Sequence, residues 1–134
     1  MVTRRKFMKW LLELSAVGAF LIPGASGRAA TKKKILINQF SIAGFQYYQG
    51  PAWLDWMKVG EAVTFEAEPG NPYDAFAVKI LYRGQQVGYV PRSDNRHISR
   101  LLKHNVPLQG RIAGVNPQAP LWRQVQVQVW LIYS

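Results

Sequence analysis

The sequence contains no cysteine. That excludes disulfides, thiolate metal sites and thiol nucleophiles. Acidic residues are scarce, seven against seventeen Lys and Arg. Only Glu66 and Glu68 fall on one face of a predicted strand, at the spacing of a solvated edge. His97 and His104 stand seven residues apart, about 10 Å along a helix axis, too far to share one metal easily. The chain also lacks a glycine-lysine phosphate loop and a nucleophile elbow. These absences leave no catalytic or metal-binding constellation, and no cofactor is expected. Nor is there an apolar run of the ~20 residues that a membrane span needs.

Positive charge, aromatic residues and turn formers are plentiful. The formal net charge is +10, of which residues 1–29 carry +4 and the remainder +6. A balance of that sign favours polyanions, such as nucleic acid or an anionic membrane surface. At 134 residues the chain suits a single domain. Frequent Pro and Gly between short apolar stretches point to a β-rich fold with tight turns.

The first 29 residues read as an address. Thr3-Arg4-Arg5-Lys6-Phe7-Met8-Lys9 resembles a twin-arginine export motif, with Met8 where Leu is usual. A 13-residue apolar stretch from Trp10 to Ile22 follows, then small residues up to Ala29 and Ala30. These are the three parts of a signal peptide, with cleavage expected after Ala29. The expected location is periplasmic or extracytoplasmic, with no stable membrane insertion after cleavage. An uncleaved N-terminal anchor is the alternative. Residues 30–34 form a basic linker, and residues 35–134 the folded domain.

Within that domain, Ile35–Phe45 reads as a long, bent first strand. Trp53, Leu54, Trp56 and Met57 crowd into a short connection that caps the core as one helical turn or a loop. Val63, Phe65 and Ala67 alternate with polar residues, as in a half-buried strand. Ala75–Tyr82 and Gln86–Val90 form a hairpin around Arg83-Gly84. Ser93 is placed to cap a helix carrying Ile98, Leu101 and Leu102 on one face. Leu108–Val115 and the alternating Val125, Val127, Val129 and Leu131 complete the set. Six strands with one or two short helices make a mainly β fold, a small closed barrel.

Three segments carry a family resemblance: Ala43-Gly44-Phe45-Gln46-Tyr47-Tyr48, Asn71-Pro72-Tyr73-Asp74 with Ala77-Val78 after it, and Val87-Gly88-Tyr89-Val90-Pro91. In this order they resemble the HIRAN family, found in bacteria and fused to some DNA-repair helicases. The resemblance covers roughly Ile35 to Ile132 and implies an OB-like barrel. In helicase-fused members it implies capture of a single-stranded DNA 3′ end. Carried onto this chain, it gives Tyr47 stacking on the terminal nucleotide, Tyr73 and Asp74 holding the sugar and its 3′-hydroxyl, Arg92 touching phosphate, and Trp122 as a further stacking wall. Arg96, Lys79 and Arg123 are additional candidates for phosphate. Gln46 departs from the pattern where a helicase-fused member can have Arg.

Other readings of the same residues stay open. Asn71–Asp74 can be a stabilised turn with Asp74 bonding backbone amides. One of Tyr47 and Tyr48 is expected in the core, because neighbours on a strand alternate. Gly88 is expected to permit a close backbone approach. The functional reading is a non-catalytic nucleic-acid-binding domain whose partner is a single-stranded end. The alternative is an exported interaction module that uses the same groove for another ligand or a protein partner. A hydrolase is a distant third.

Overall fold

The computed structural model describes residues 32–134, so the twin-arginine segment and the signal peptide of residues 1–29 lie outside the described residues. Six strands form one antiparallel sheet: β1 (Lys33–Ser41), β2 (Ala62–Ala67), β3 (Val78–Tyr82), β4 (Gln85–Tyr89), β5 (Leu108–Val115) and β6 (Val125–Tyr133). Their spatial order is β1-β6-β5-β2-β3-β4. The short helix α1 (Gly50–Trp53) follows β1, and the longer α2 (Arg92–Lys103) joins β4 to β5.

The sheet closes on itself just beyond β1. Ala43 pairs with Tyr89 through two backbone bonds, each 2.9 Å, which joins the two outermost strands. Gly88 makes this approach possible. It sits at φ +152°, and a Cβ there would overlap Ile42 Cγ2 and the Ala43 carbonyl oxygen. The close approach expected from the sequence is therefore the barrel seam itself.

Alternating strand patterns fill the interior. Val125, Val127 and Val129 of β6 are buried, while Gln126, Gln128 and Trp130 between them are half-exposed. Val78, Ile80 and Tyr82 of β3 point inward the same way. Ile98 of α2 joins this core, with Leu102 packed against it. Each fully buried side chain of this size contributes about 1.5–3 kcal/mol relative to exposure. The crowded connection divides between α1 and a 3-10 turn at Leu54–Trp56. Met57 enters the core and Trp53 lies edge-on to Tyr82 at 5.8 Å, as a core lid would. The β3–β4 turn has Arg83 and Gly84 both at positive φ, the geometry of a two-residue hairpin loop.

Three expectations need correction. The first strand ends at Ser41, and Phe45–Tyr47 is a 3-10 turn that starts after Gly44 at φ +69°. Its period is near three rather than two, so Phe45 turns inward while Tyr47 and Tyr48 both face outward. Residues 75–77 are turn rather than strand, because the Ala77 amide bonds the Asp74 carbonyl at 3.1 Å. Ser93 does not cap α2. The helix starts at Arg92 directly after Pro91, and the Ser93 hydroxyl donates to Asp94 Oδ1 at 2.6 Å.

A β-bulge at Ile37 shifts the β1–β6 register between Leu36 and Asn38. Beyond it, Asn38 Nδ2 donates to Asp94 Oδ2 at 3.0 Å, and Asn38 Oδ1 lies 2.7 Å from His97 Nε2. These bonds fix the start of α2 against β1.

Candidate nucleic-acid interface

The seam opens into a cleft of about 530 Å³. The Gly44–Tyr48 turn forms one wall and residues 70–74 the other. Tyr89 and Val90 lie between them, with Arg92 and Asn95 at the start of α2.

The 70–74 wall is built by side chains acting as backbone partners. Asn71 Oδ1 accepts from the amides of Tyr73 (2.8 Å) and Asp74 (3.1 Å), an Asx turn. Asn71 Nδ2 donates to Glu68 Oε1 at 2.9 Å. The Tyr89 hydroxyl donates to the same oxygen at 2.7 Å, and the Tyr89 ring meets Tyr48 edge-on at 5.7 Å. Loop, β4 and the opposite wall thus form one connected set.

Electrostatics follow from these contacts. The Asn71 amide and the Tyr89 hydroxyl, with help from Lys79, hold the Glu68 carboxyl below its ordinary range against an opposing contribution from burial. Burial and the Glu68 carboxylate push the Tyr89 hydroxyl up to about 12. Tyr89 therefore stays a neutral donor at physiological pH.

Asp74 lies in the wall with 19% of its side chain exposed. Oδ1 accepts from the Phe76 amide at 2.9 Å, and Oδ2 accepts from Asn95 Nδ2 at 2.8 Å. Arg92 Nε stands 3.6 Å from Oδ2. The Phe76 amide chiefly holds this carboxyl low; burial opposes it, while Asn95 and the charges of Arg92 and Arg96 add to it. A carboxylate has about four lone-pair sites, so each oxygen retains acceptor capacity beyond these bonds. The turn-stabilising reading of Asp74 is met by these bonds, and they leave acceptor sites unused.

The remaining expected residues divide. Tyr47 and Tyr73 line the cleft as the most open aromatics of the pair of walls, 77% and 85% exposed. Arg92 lines it too, with Nη2 donating to the Tyr73 carbonyl at 3.0 Å and most of the side chain exposed. Trp122 does not line it. It sits on the 3-10 turn Leu121–Arg123 before β6, a turn that packs beside Phe45–Tyr47. Lys79 also lies outside the lining and pairs with Glu66 at 3.3 Å and Glu68 at 3.9 Å. No group of three His, Cys, Asp or Glu side chains poised for a metal occurs among the described residues. No helix among them is long and apolar enough to cross a membrane.

Sequence reasoning missed Glu68, Tyr48, Tyr89 and Asn95. Glu68 looked like half of a solvated edge with Glu66, yet it anchors the loop. Its signal was the Glu68-x-x-Asn71 spacing, which lets a side chain at the end of a strand reach the first residue of the turn. Asn95 carried no comparable local signal, since only the docking of α2 brings it to Asp74.

The described residues thus form a closed antiparallel barrel with an aromatic, acid-containing cleft at its seam. The model of the HIRAN domain family matches residues 37–134, and the chain belongs to that family. Among solved structures, a protein from Lactobacillus plantarum is 22% identical with a TM-score of 0.67, over 78% of this chain and all of that one. The HIRAN domain of human HLTF is 18% identical with a TM-score of 0.54, over 75% of this chain and 78% of that one. At these identities the likeness is one of fold. No curated protein matches the chain.

Proposed function

We propose that this protein binds nucleic acid without catalysis and captures the 3′-hydroxyl end of a single strand in the seam cleft. One observation carries the reading: Tyr47, the adjacent pair Tyr73 and Asp74, and Arg92 come from three separate segments of the sequence yet line a single open cleft. Membership of the HIRAN family supports it. Tyr47 and Tyr73 offer ring faces to bases, and stacking contributes about 1–3 kcal/mol per base with little regard to sequence. Asp74 accepts a hydrogen bond from the terminal hydroxyl, a charge-assisted bond of about 1.5–3 kcal/mol. The same carboxylate repels a terminal phosphate, so one residue discriminates between the two kinds of end. Arg92 supplies attraction to the phosphate that follows.

The test is a fluorescence-anisotropy titration with hydroxyl-ended and phosphate-ended single strands at two salt concentrations. Hydroxyl ends should bind more tightly, and binding should weaken as salt rises. Equal affinity for both ends would remove the role of Asp74. Recovery from a periplasmic extract of a ligand that survives nuclease treatment would favour an exported module with a different partner.

Export belongs to the same proposal: residues 1–29 direct the folded domain through the twin-arginine route to the periplasm, and cleavage after Ala29 releases it. Fusing residues 1–29 to a reporter and changing Arg4 and Arg5 to Lys should block translocation. Continued export by that route would reject the assignment.

A further inference from the structure

Helix α2 carries a second charged feature that leads away from the cleft. Arg92, Arg96, Arg100 and Lys103 recur at helical spacing and fall within about 80° of arc. From first to last they extend about 16 Å along the axis, with about 6 Å between successive arginines. Arg96, Arg100 and Lys103 are exposed. Among the described residues none of the three is paired with a carboxylate. The nearby acids are committed elsewhere, Asp74 to Arg92 and Asn95, and Asp94 to Asn38 and Ser93.

All three cations gather over one ring. Arg96 Cζ lies 4.5 Å from the centroid of Phe76, Arg100 Cζ 5.7 Å and Lys103 Nζ 5.9 Å. Phe76 lies two residues beyond Asp74, and its amide holds the Asp74 carboxylate. The ring thus fastens the charged stripe to the loop that forms the cleft. Like charges one helical turn apart destabilise a helix. The macrodipole favours cations at Arg100 and Lys103 in the last turn, but it gives no reason for Arg96 in mid-helix or for a shared aromatic seat.

We propose that Arg96, Arg100 and Lys103, seated on Phe76, form a track for the phosphate backbone of the strand whose end occupies the cleft. The inference rests on end capture and extends it. The cleft selects the end, and the helix adds affinity that grows with strand length and carries no base preference. An extended phosphodiester chain leaving past Arg92 meets one cation per helical turn, so up to three further phosphates are neutralised.

The test compares the full chain with the Arg96→Gln/Arg100→Gln/Lys103→Gln variant, using oligothymidylates of two and twelve nucleotides with free 3′-hydroxyls. The wild type should bind the longer strand at least about tenfold more tightly at low salt. The variant should lose that gain, binding the two lengths within about twofold of each other, and show a log–log salt slope for the twelve-mer smaller by about 2, at about 0.7 per single-strand phosphate. Circular dichroism checks the helix, and Arg96→Gln alone should give about a third of the slope change if the triple variant unfolds. A variant that keeps the length gain overturns the track, as does a wild type that binds both lengths equally; in either case end capture stands. A wild type that binds neither strand ends both readings. Loss of binding to phosphatidylserine vesicles with unchanged twelve-mer binding would assign the stripe to a membrane surface and overturn the track.

Discussion

The chain makes two Asn-Pro turns, and they start alike. Asn71 Oδ1 accepts from the amide of Tyr73, two residues on, at 2.8 Å; Asn116 Oδ1 accepts from the amide of Gln118, two residues on, at 3.0 Å. Each turn leads to an exposed aromatic, Tyr73 or Trp122. Beyond that they diverge. The first is tied to β4 through Glu68 and Tyr89, and to α2 through Asp74, Asn95 and Arg92. The second is held from its own base, where buried Gln124 donates to the carbonyls of Pro117 (3.2 Å) and Ala119 (3.0 Å). The same opening bond gives one turn that belongs to a cleft and one that closes on itself. A turn becomes part of a site when its side chains leave the loop.

The comparison breaks most severely at the seam. Gly88→Ala should destabilise the fold by several kcal/mol, because a methyl group cannot fit between Ile42 and the Ala43 carbonyl. Thermal unfolding would show it, and hydrogen exchange should report the Glu68–Asp74 loop opening well before residues 116–124. A variant that melts like the wild type would mean the seam does not anchor that loop.

Asp74→Ala should weaken binding of a hydroxyl-ended strand by about 10- to 100-fold in an anisotropy titration, the worth of one charge-assisted bond. Tyr73→Ala should cost about 5- to 100-fold in the same assay, whereas Trp122→Ala should stay within about twofold. Equal losses at the two aromatics would place Trp122 at the cleft after all.

A finer contrast lies in the asparagines. Asn71→Ala and Asn116→Ala should each lower stability by about 1–2 kcal/mol, about 4–16 °C in melting temperature for a domain of this size. Only Asn71→Ala should also weaken strand binding, because only that side chain positions Tyr73 and Asp74.

Acid should separate the turns most gently. Glu68 and Asp74 titrate below their ordinary ranges when folded. Their contribution is complete above the unfolded values, and it is lost as pH falls below about 4 and through the lowered folded values. Residues 116–124 contain no acid. Amide exchange below about pH 4 should therefore rise at Tyr73 and Asp74 before it rises at Gln118.

Much of the fold was legible because strand alternation is a local property. Val125, Val127 and Val129, the Arg83-Gly84 hairpin and the amphipathic face of α2 all stand where their spacing puts them. The first strand misled at Gly44, where a left-handed residue replaced a period of two with one near three and brought both tyrosines outward. The lining of the cleft was legible in Tyr47, Tyr73, Asp74 and Arg92, which the structure brings together, though not in Trp122. It was illegible in Glu68, Tyr89 and Asn95, whose roles depend on partners 21 residues away for Tyr89 with Glu68 and for Asn95 with Asp74.

The amino-acid sequence by itself determined the positive charge, the strand pattern, the turn chemistry and the family, because each resides in short stretches of residues. The tertiary structure alone decided that the first Asn-Pro turn faces a cleft and the second does not, and that three cations of α2 share the ring of Phe76. The first outcome depends on how the barrel closes at Ala43 and Tyr89, and the last on how α2 docks beside residues 74–76, long-range pairings that no neighbouring residues encode.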